Sequence, residues 1–261
     1  MQYDERYTPY IKMTGLLPFI QLVSRSTPNL NAAAITSHID RWRPETHSFH
    51  LRTGEMTVTL QDVSMITALS IEGKPLCMST DSEGWRHQME ALIGMSPPEP
   101  ELDDACCRST KDGGVGGCML LLSIWSWERL PVGRPKAAKW NTWDDHGNPV
   151  WLPTWAYKWD VVPEVASDVN LLYKQYTNEM DSLTAEQVEW QPYGAGPSFG
   201  DAHTFQLNPI CVQEKHLWLM RCPLICNWAV EFHLPHRVMH QFGLFQPHPL
   251  EWVDTDTQLH R

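Results

Sequence analysis

Three histidines near the end of the sequence, His233, His236 and His240, stand three and four residues apart. On a helix that spacing puts them on one face, and Cys222, Cys226 and Glu231 upstream add further donors, so the first chemistry to weigh is zinc ligation. Against it, the two cysteines lie in an apolar run and the chain contains no CxxC pair, which favours surface histidines beside buried cysteines. A second candidate is Gly200-Asp201-Ala202-His203, the first half of a two-metal phosphatase motif in which the Asp and His would bind one ion. Thr204 follows where a glycine is needed, and neither a partner Gly-Asp motif nor an Asn-His-Glu occurs, so a polar loop is expected. Lys136, Lys139, Lys158, Lys174 and Lys215 supply amines for a Schiff base, yet none sits in a recognisable cofactor loop. The GGVGG of residues 113–117 suits a flexible joint better than a phosphate cradle. The expectation is therefore no cofactor, no metal and no catalytic residue.

Aromatic residues beside arginines, Arg41-Trp42-Arg43 and Trp127-Glu128-Arg129, could stack on single-stranded nucleic acid. The chain holds 13 tryptophans, and such residues more often anchor cores and interfaces. With 20 basic against 31 acidic residues and a formal charge of −11, protein contacts are favoured over nucleic acid. Seven cysteines, an odd number, without an N-terminal signal peptide point to a reducing compartment, cytoplasm or nucleus.

The element that must organise these residues is Met119 to Pro135, MLLLSIWSWERLPVGRP. Seven of its first nine residues are large and apolar on every side of a helix, so the helix has to be buried. Nine residues cover about half of the roughly 20 that a bilayer span needs, which makes the site of burial a protein core. Pro131, Gly133 and Pro135 stop the helix, and Glu128-Arg129 should bring it to the surface.

Around this helix, Leu16 to Arg25 has helical spacing, and Ala32 to Trp42 reads as a helix with Asn31 as its cap. From His47 the period changes to two: Phe49 and Leu51, then Met56 and Val58 beyond Arg52-Thr53-Gly54-Glu55, give a β-hairpin near residues 47–60. Thr59 and Asp62 have capping-box spacing for a helix with Leu60, Val63, Ile66 and Leu69 on its apolar face, ended by Gly73 and Pro75. Glu83 to Ile93 is a further short helix. Residues 94–117, with three prolines, five glycines and few apolar residues, read as a linker-like joint. Residues 136–162 carry five tryptophans in a pattern too irregular for one helix, so a long Trp-rich loop is expected. Pro163 opens an amphipathic helix to about Leu183 with Val165, Val169, Leu172, Tyr173, Tyr176, Met180 and Leu183 on its stripe. Thr184 to Gln187 repeats the capping pattern, residues 209–222 look helical, Leu224 to Phe232 is a buried strand or helix, and Pro235 begins a helix through Gly243. The fold class is mainly α, an irregular helical domain with a small hairpin, and residues 1–261 form a single unit.

Several stretches together resemble the plant mobile domain, also called the aminotransferase-like plant mobile domain, found in maintenance-of-meristems proteins and plant transposable elements. They are Gly15 to Leu17, Asp40-Arg41-Trp42-Arg43-Pro44-Glu45-Thr46-His47-Ser48-Phe49-His50-Leu51, Gly54 to Val63, Trp125 to Pro135, Gln191-Pro192-Tyr193, Pro223 to Cys226, and Arg237 to Gly243. The blocks occur in family order along nearly the whole chain. The resemblance implies a mostly helical, non-enzymatic nuclear module that binds other proteins in gene or transposon silencing, genome stability or meristem maintenance. A type 7-like serine/threonine phosphatase family protein is one candidate partner. A metal-dependent hydrolase and a single-stranded nucleic-acid binder are the alternatives. Arg41, Trp42, Arg43, Glu45, Trp127, Glu128, Arg129 and Arg134 are the candidate structural or contact positions. Between Pro100 and Gly116 the family's pattern contains further helices, so uncovered apolar faces, dye binding and a broad melt are expected of this chain.

Overall fold

A computed structural model describes residues 5–13, 16–17, 19–20, 23, 30–73, 118–136, 154–159, 162, 168–193, 207–226 and 229–247. The expected helix at 83–93, the joint at 94–117, most of the Trp-rich loop, Pro163 and Val165 lie outside the described residues. What is described is mainly helical, with two small antiparallel sheets. None of these helices is long and apolar enough to cross a membrane.

Helix α1 spans Thr8–Met13, and residues 17, 19, 20 and 23 are helical. Helix α2, Ala32–Ile39, starts where the Asn31 side chain accepts from the Ala34 amide. It ends three residues before the expected Trp42, because Trp42 is claimed by a strand: β1 (Trp42–Arg43) pairs antiparallel with β2 (Ser48–Leu51), Trp42 opposite Phe49. β2 then pairs with β3 (Gly54–Met56), Phe49 opposite Met56 and Leu51 opposite Gly54, so the turn is only Arg52-Thr53. The expected hairpin is thus the inner part of a three-stranded sheet.

Helix α3, Leu60–Thr67, carries the expected capping box, with Thr59 and Asp62 each satisfying the other's backbone N–H. It stops at Ala68 in the left-handed conformation, well before Gly73, so Leu69 is not part of it. Helix α4, Met119–Arg129, is the expected central helix, and Ile124, Trp125 and Trp127 are buried. Gly133 follows at a φ of 62°, and a Cβ there would come within 2.8 Å of the Ala34 methyl, so only glycine fits.

Helix α5, Val169–Asp181, begins at an Asp168 cap, and it buries Tyr176 and Met180 while Val169 is exposed. Val169 therefore leaves the expected stripe. Where residues 209–222 look helical in sequence, only the single turn α6 (Ile210–Gln213) and a 3-10 turn, Lys215–Leu217, form. The ambiguous segment that follows is a hairpin, β4 (Cys222–Cys226) against β5 (Ala229–His233), with Leu224 opposite Glu231 and 42% exposed. Instead of one helix from Pro235, two 3-10 turns appear, Pro235–Arg237 and Met239–Phe242.

The main core joins α2, the three-stranded sheet and α4 to Tyr176, Met180, Leu183 and Val188, with Trp159 and Val162 closing it. Trp155 heads a second cluster with Met65 and Cys211. Both tryptophans lie on one 3-10 stretch, Trp155–Trp159, which is the described part of the expected aromatic loop. α2 and α4 are linked through a buried histidine: His38 Nδ1 lies 2.6 Å from Ala34 O and its Nε2 2.8 Å from Ser126 Oγ. A carbonyl can only accept, so Nδ1 carries the proton and Nε2 accepts from the serine. Burial pulls His38 down to about 4, which keeps it neutral.

Candidate functional site

The expectation that Glu128-Arg129 reaches the surface is overturned. Both are buried, Arg129 completely, because partners from distant segments meet them. Asp62, in the first turn of α3, is likewise fully excluded from water. Its Oδ1 accepts from Arg129 Nε at 3.2 Å, from Arg129 Nη2 at 2.7 Å and from the Tyr193 hydroxyl at 2.7 Å. Its Oδ2 accepts from the Thr59 amide at 2.8 Å and the Thr59 hydroxyl at 2.7 Å. Arg129 Nη1 donates to Trp190 O at 2.6 Å, and the guanidinium lies 5.5 Å from the Tyr193 ring centre. Both carboxylate oxygens accept hydrogen bonds and each guanidinium nitrogen donates one, which is the kind of satisfaction that lets a buried pair be tolerated. Burial, and then the charge of Asp62, push the Tyr193 hydroxyl well above its ordinary value, so it stays protonated and donates.

The neighbouring motif residues are also used internally. The Glu128 carboxylate accepts from Trp159 Nε1, and the Trp127 and Trp159 rings meet at 5.3 Å. Arg134 donates to Leu130 O at 3.0 Å and Glu128 O at 3.3 Å, closing carbonyls at the end of α4. Arg41 donates to Ser37 O at 2.6 Å and Thr177 O at 3.1 Å and pairs with Asp181, tying α2 to α5. Trp42 packs edge-on against Phe49 at 4.9 Å. Arg43 and Glu45 are exposed. The structure thus gathers Trp127, Glu128, Arg129 and Arg134 at one helix end and leaves the other four on the sheet side.

The sequence pattern marks Asp62 only as a cap and does not single out Tyr193, Glu55, Arg237 or Gln241. Arg237 holds Glu55 through two hydrogen bonds, 2.8 and 2.6 Å, and Ser48 Oγ donates to the same carboxylate at 2.9 Å. The buried Gln241 amide donates to Thr57 O at 2.9 Å and accepts from Thr57 N at 2.8 Å, pairing like a strand residue just beyond β3. Arg237 and Gln241 share one block of the resemblance, and that was the available signal.

The three histidines do not share a helix face. His233 ends β5, while His236 and His240 sit on separate 3-10 turns. His233 donates from Nδ1 to Met220 O at 2.8 Å, leaving Nε2 to accept the Leu60 amide at 3.3 Å, so it caps α3. Burial pushes it below its ordinary value, toward the neutral form that this role needs. His240 packs its ring against Trp190 at 5.3 Å. Among the described residues no group of three or more His, Cys, Asp or Glu side chains could hold a metal ion. Asp201 and His203 lie outside the described residues. So does Gly196 to Gly200 (GPSFG), which matches the bare GxSxG spacing of a nucleophile elbow, a motif that requires a strand before it and a helix after. Lys174 and Lys215 are exposed.

One open cleft, of about 260 Å³, lies between the three-stranded sheet and the β4–β5 hairpin. Trp42, Val58, Leu224, Phe232 and Val238 supply its apolar lining, and a His47 Nδ1 to Glu231 Oε2 contact of 2.7 Å crosses it.

Comparison with known proteins places this arrangement. The model of the plant mobile domain matches residues 18–110 and 102–261, in two pieces that meet at the joint. Among curated proteins of Arabidopsis thaliana, the chain is 48% identical to Protein MAINTENANCE OF MERISTEMS over 306 positions, covering 85% of this chain and 59% of that one. It is 27% identical to a serine/threonine-protein phosphatase 7 long form homolog over 314 positions, 88% of this chain and 23% of that one. It is 23% identical to Protein MAIN-LIKE 1, over 85% of this chain and 56% of that one. The chain therefore spans less than two thirds of each of these relatives. The 306 positions shared with Protein MAINTENANCE OF MERISTEMS contain about 222 residues of this chain, 85% of 261, so about 84 positions are filled by the relative alone. No solved structure matches. The family model covers nearly the whole chain in both directions from the joint, and on that match the chain belongs to the plant mobile domain family.

Proposed function

We propose that this domain is a non-enzymatic protein-interaction module of nuclear complexes acting in gene or transposon silencing, genome stability or meristem maintenance. The observation that carries the reading is the internal use of the Trp125 to Pro135 motif: Glu128, Arg129 and Arg134 are engaged with partners inside the fold. Other nuclear proteins are the proposed partners, with a type 7-like phosphatase family protein as one candidate, in keeping with the name one relative bears. A pull-down from plant nuclei, with the family's full-length form as positive control, is expected to recover specific proteins. Recovery of none would count against the module. Stoichiometric zinc, iron or manganese in the purified protein, lost on His236→Ala, would favour a metal-dependent hydrolase instead.

We further propose that the chain is one unit from which family helices before α4 have been removed. The positions filled by the relative alone, and the family match that breaks at 102–110, support this. Each large side chain left in water forgoes about 1.5–3 kcal/mol, against a typical domain margin of about 5–15 kcal/mol. The recombinant chain is expected to bind a hydrophobic dye and melt broadly, and to melt cooperatively once the segment is restored. A dye-silent monomer with a sharp transition would show that the short joint closes the core.

A further inference from the structure

The cleft between the two sheets has a size, a lining and a charge that together select a partner. At about 260 Å³ it falls below the roughly 300–1,000 Å³ of sites that enclose a whole small molecule, yet it accommodates one large side chain. Its lining is mostly apolar, and Leu224 is 42% exposed. The Trp42 wall is rigid, since its ring rests edge-on against Phe49 at 4.9 Å and Phe49 packs against the fully buried Trp125 at 5.4 Å. A wall fixed in advance loses little freedom on binding. At the rim, the Glu231 side chain is 55% exposed, with Oε2 on His47. The Arg237 guanidinium is spent on Glu55. The one guanidinium of the lining is thus offset by Glu55 from outside it, which leaves the half-exposed Glu231 carboxylate at the rim of a chain whose formal charge is −11.

We propose that this cleft docks an extended segment of a partner protein, which inserts one large apolar side chain against Trp42 and sets a lysine or arginine beside Glu231. The inference rests on the interaction-module reading and names the chemistry of the partner. The apolar insertion supplies the anchor, and the cation supplies selectivity and a faster encounter.

The test is selection of a displayed random heptapeptide library on the full chain, followed by titration of the best synthetic peptide. Enriched sequences are expected to hold a Leu, Ile, Met, Phe or Trp with a Lys or Arg within two positions. Glu231→Lys changes a side chain more than half exposed, so it should leave the fold intact while weakening the peptide about tenfold or more. Val58→Trp, checked for folding by its circular dichroism, should abolish binding by filling the cleft. Enrichment of acidic sequences, no enrichment above an unrelated bait, or equal affinity for Glu231→Lys would overturn the proposal. If the nuclear pull-down succeeds and its proteins are retained unchanged by both variants, the cleft is wrong and the module reading stands. If the pull-down fails as well, both fall.

Discussion

The end of α4 and the mouth of the cleft each hold a carboxylate in a 2.7 Å contact, the Asp62–Arg129 ion pair in one place and His47 Nδ1 to Glu231 Oε2 in the other. In the first, both side chains are wholly buried; in the second, Glu231 is 55% exposed. Equal distance does not mean equal energy. Water screens the cleft pair, whose worth is about 0–1 kcal/mol, whereas stranding one member of the buried pair costs about 3–5 kcal/mol. The Trp125 to Pro135 block lies at the buried pair, while the space that could accept a partner lies at the screened one. The buried pair serves the architecture, and the cleft at the screened contact is the proposed place of recognition.

The contrast can be broken by substitution, best in the chain with its segment restored, where cooperative unfolding is expected. Arg129→Ala should have the largest effect, a loss of about 3–5 kcal/mol in urea unfolding, because Asp62 is left charged and dry. Next comes acid. His38 is held at about 4 in the fold and titrates near 6.5 when unfolded, so between those values the unfolded chain binds the extra proton. Stability is then full above about pH 6.5 and falls as the pH drops toward 4, by roughly 3 kcal/mol, and a flat melting temperature over that window would contradict the burial of His38. Gln241→Leu should cost about 1–3 kcal/mol by orphaning the Thr57 amide and carbonyl, and hydrogen exchange at Thr57 should accelerate. Glu231→Gln should fall within about 1 kcal/mol of the parent in the same unfolding assay, and a larger loss would mean that the cleft pair is structural.

Local signals carried far into this fold. The Asn31 cap, the Thr59–Asp62 capping box and the apolar run of α4 are each read from neighbours within four residues, and each stands. What local pattern misread is what depends on distant partners. Glu128-Arg129 after an apolar run reads as an exit to solvent, yet Asp62, 67 residues before Arg129, draws it inward. Trp42 fits a helical repeat, yet Phe49 recruits it into a strand. The histidines share a face only if Pro235 opens a long helix, and the Gln241 amide instead binds the chain to Thr57, 184 residues away. The cleft itself could not be read at all, because its two walls come from residues 42–58 and 224–238.

Whether the motif charges are spent on the fold is decided by a double-mutant cycle on Asp62→Leu and Arg129→Met, followed by urea unfolding. Each single variant should lose about 3–5 kcal/mol and the double variant should recover much of that loss, since no buried charge is left alone. Single variants within about 1 kcal/mol of the parent, or a double variant whose loss equals the sum of the two, would contradict it.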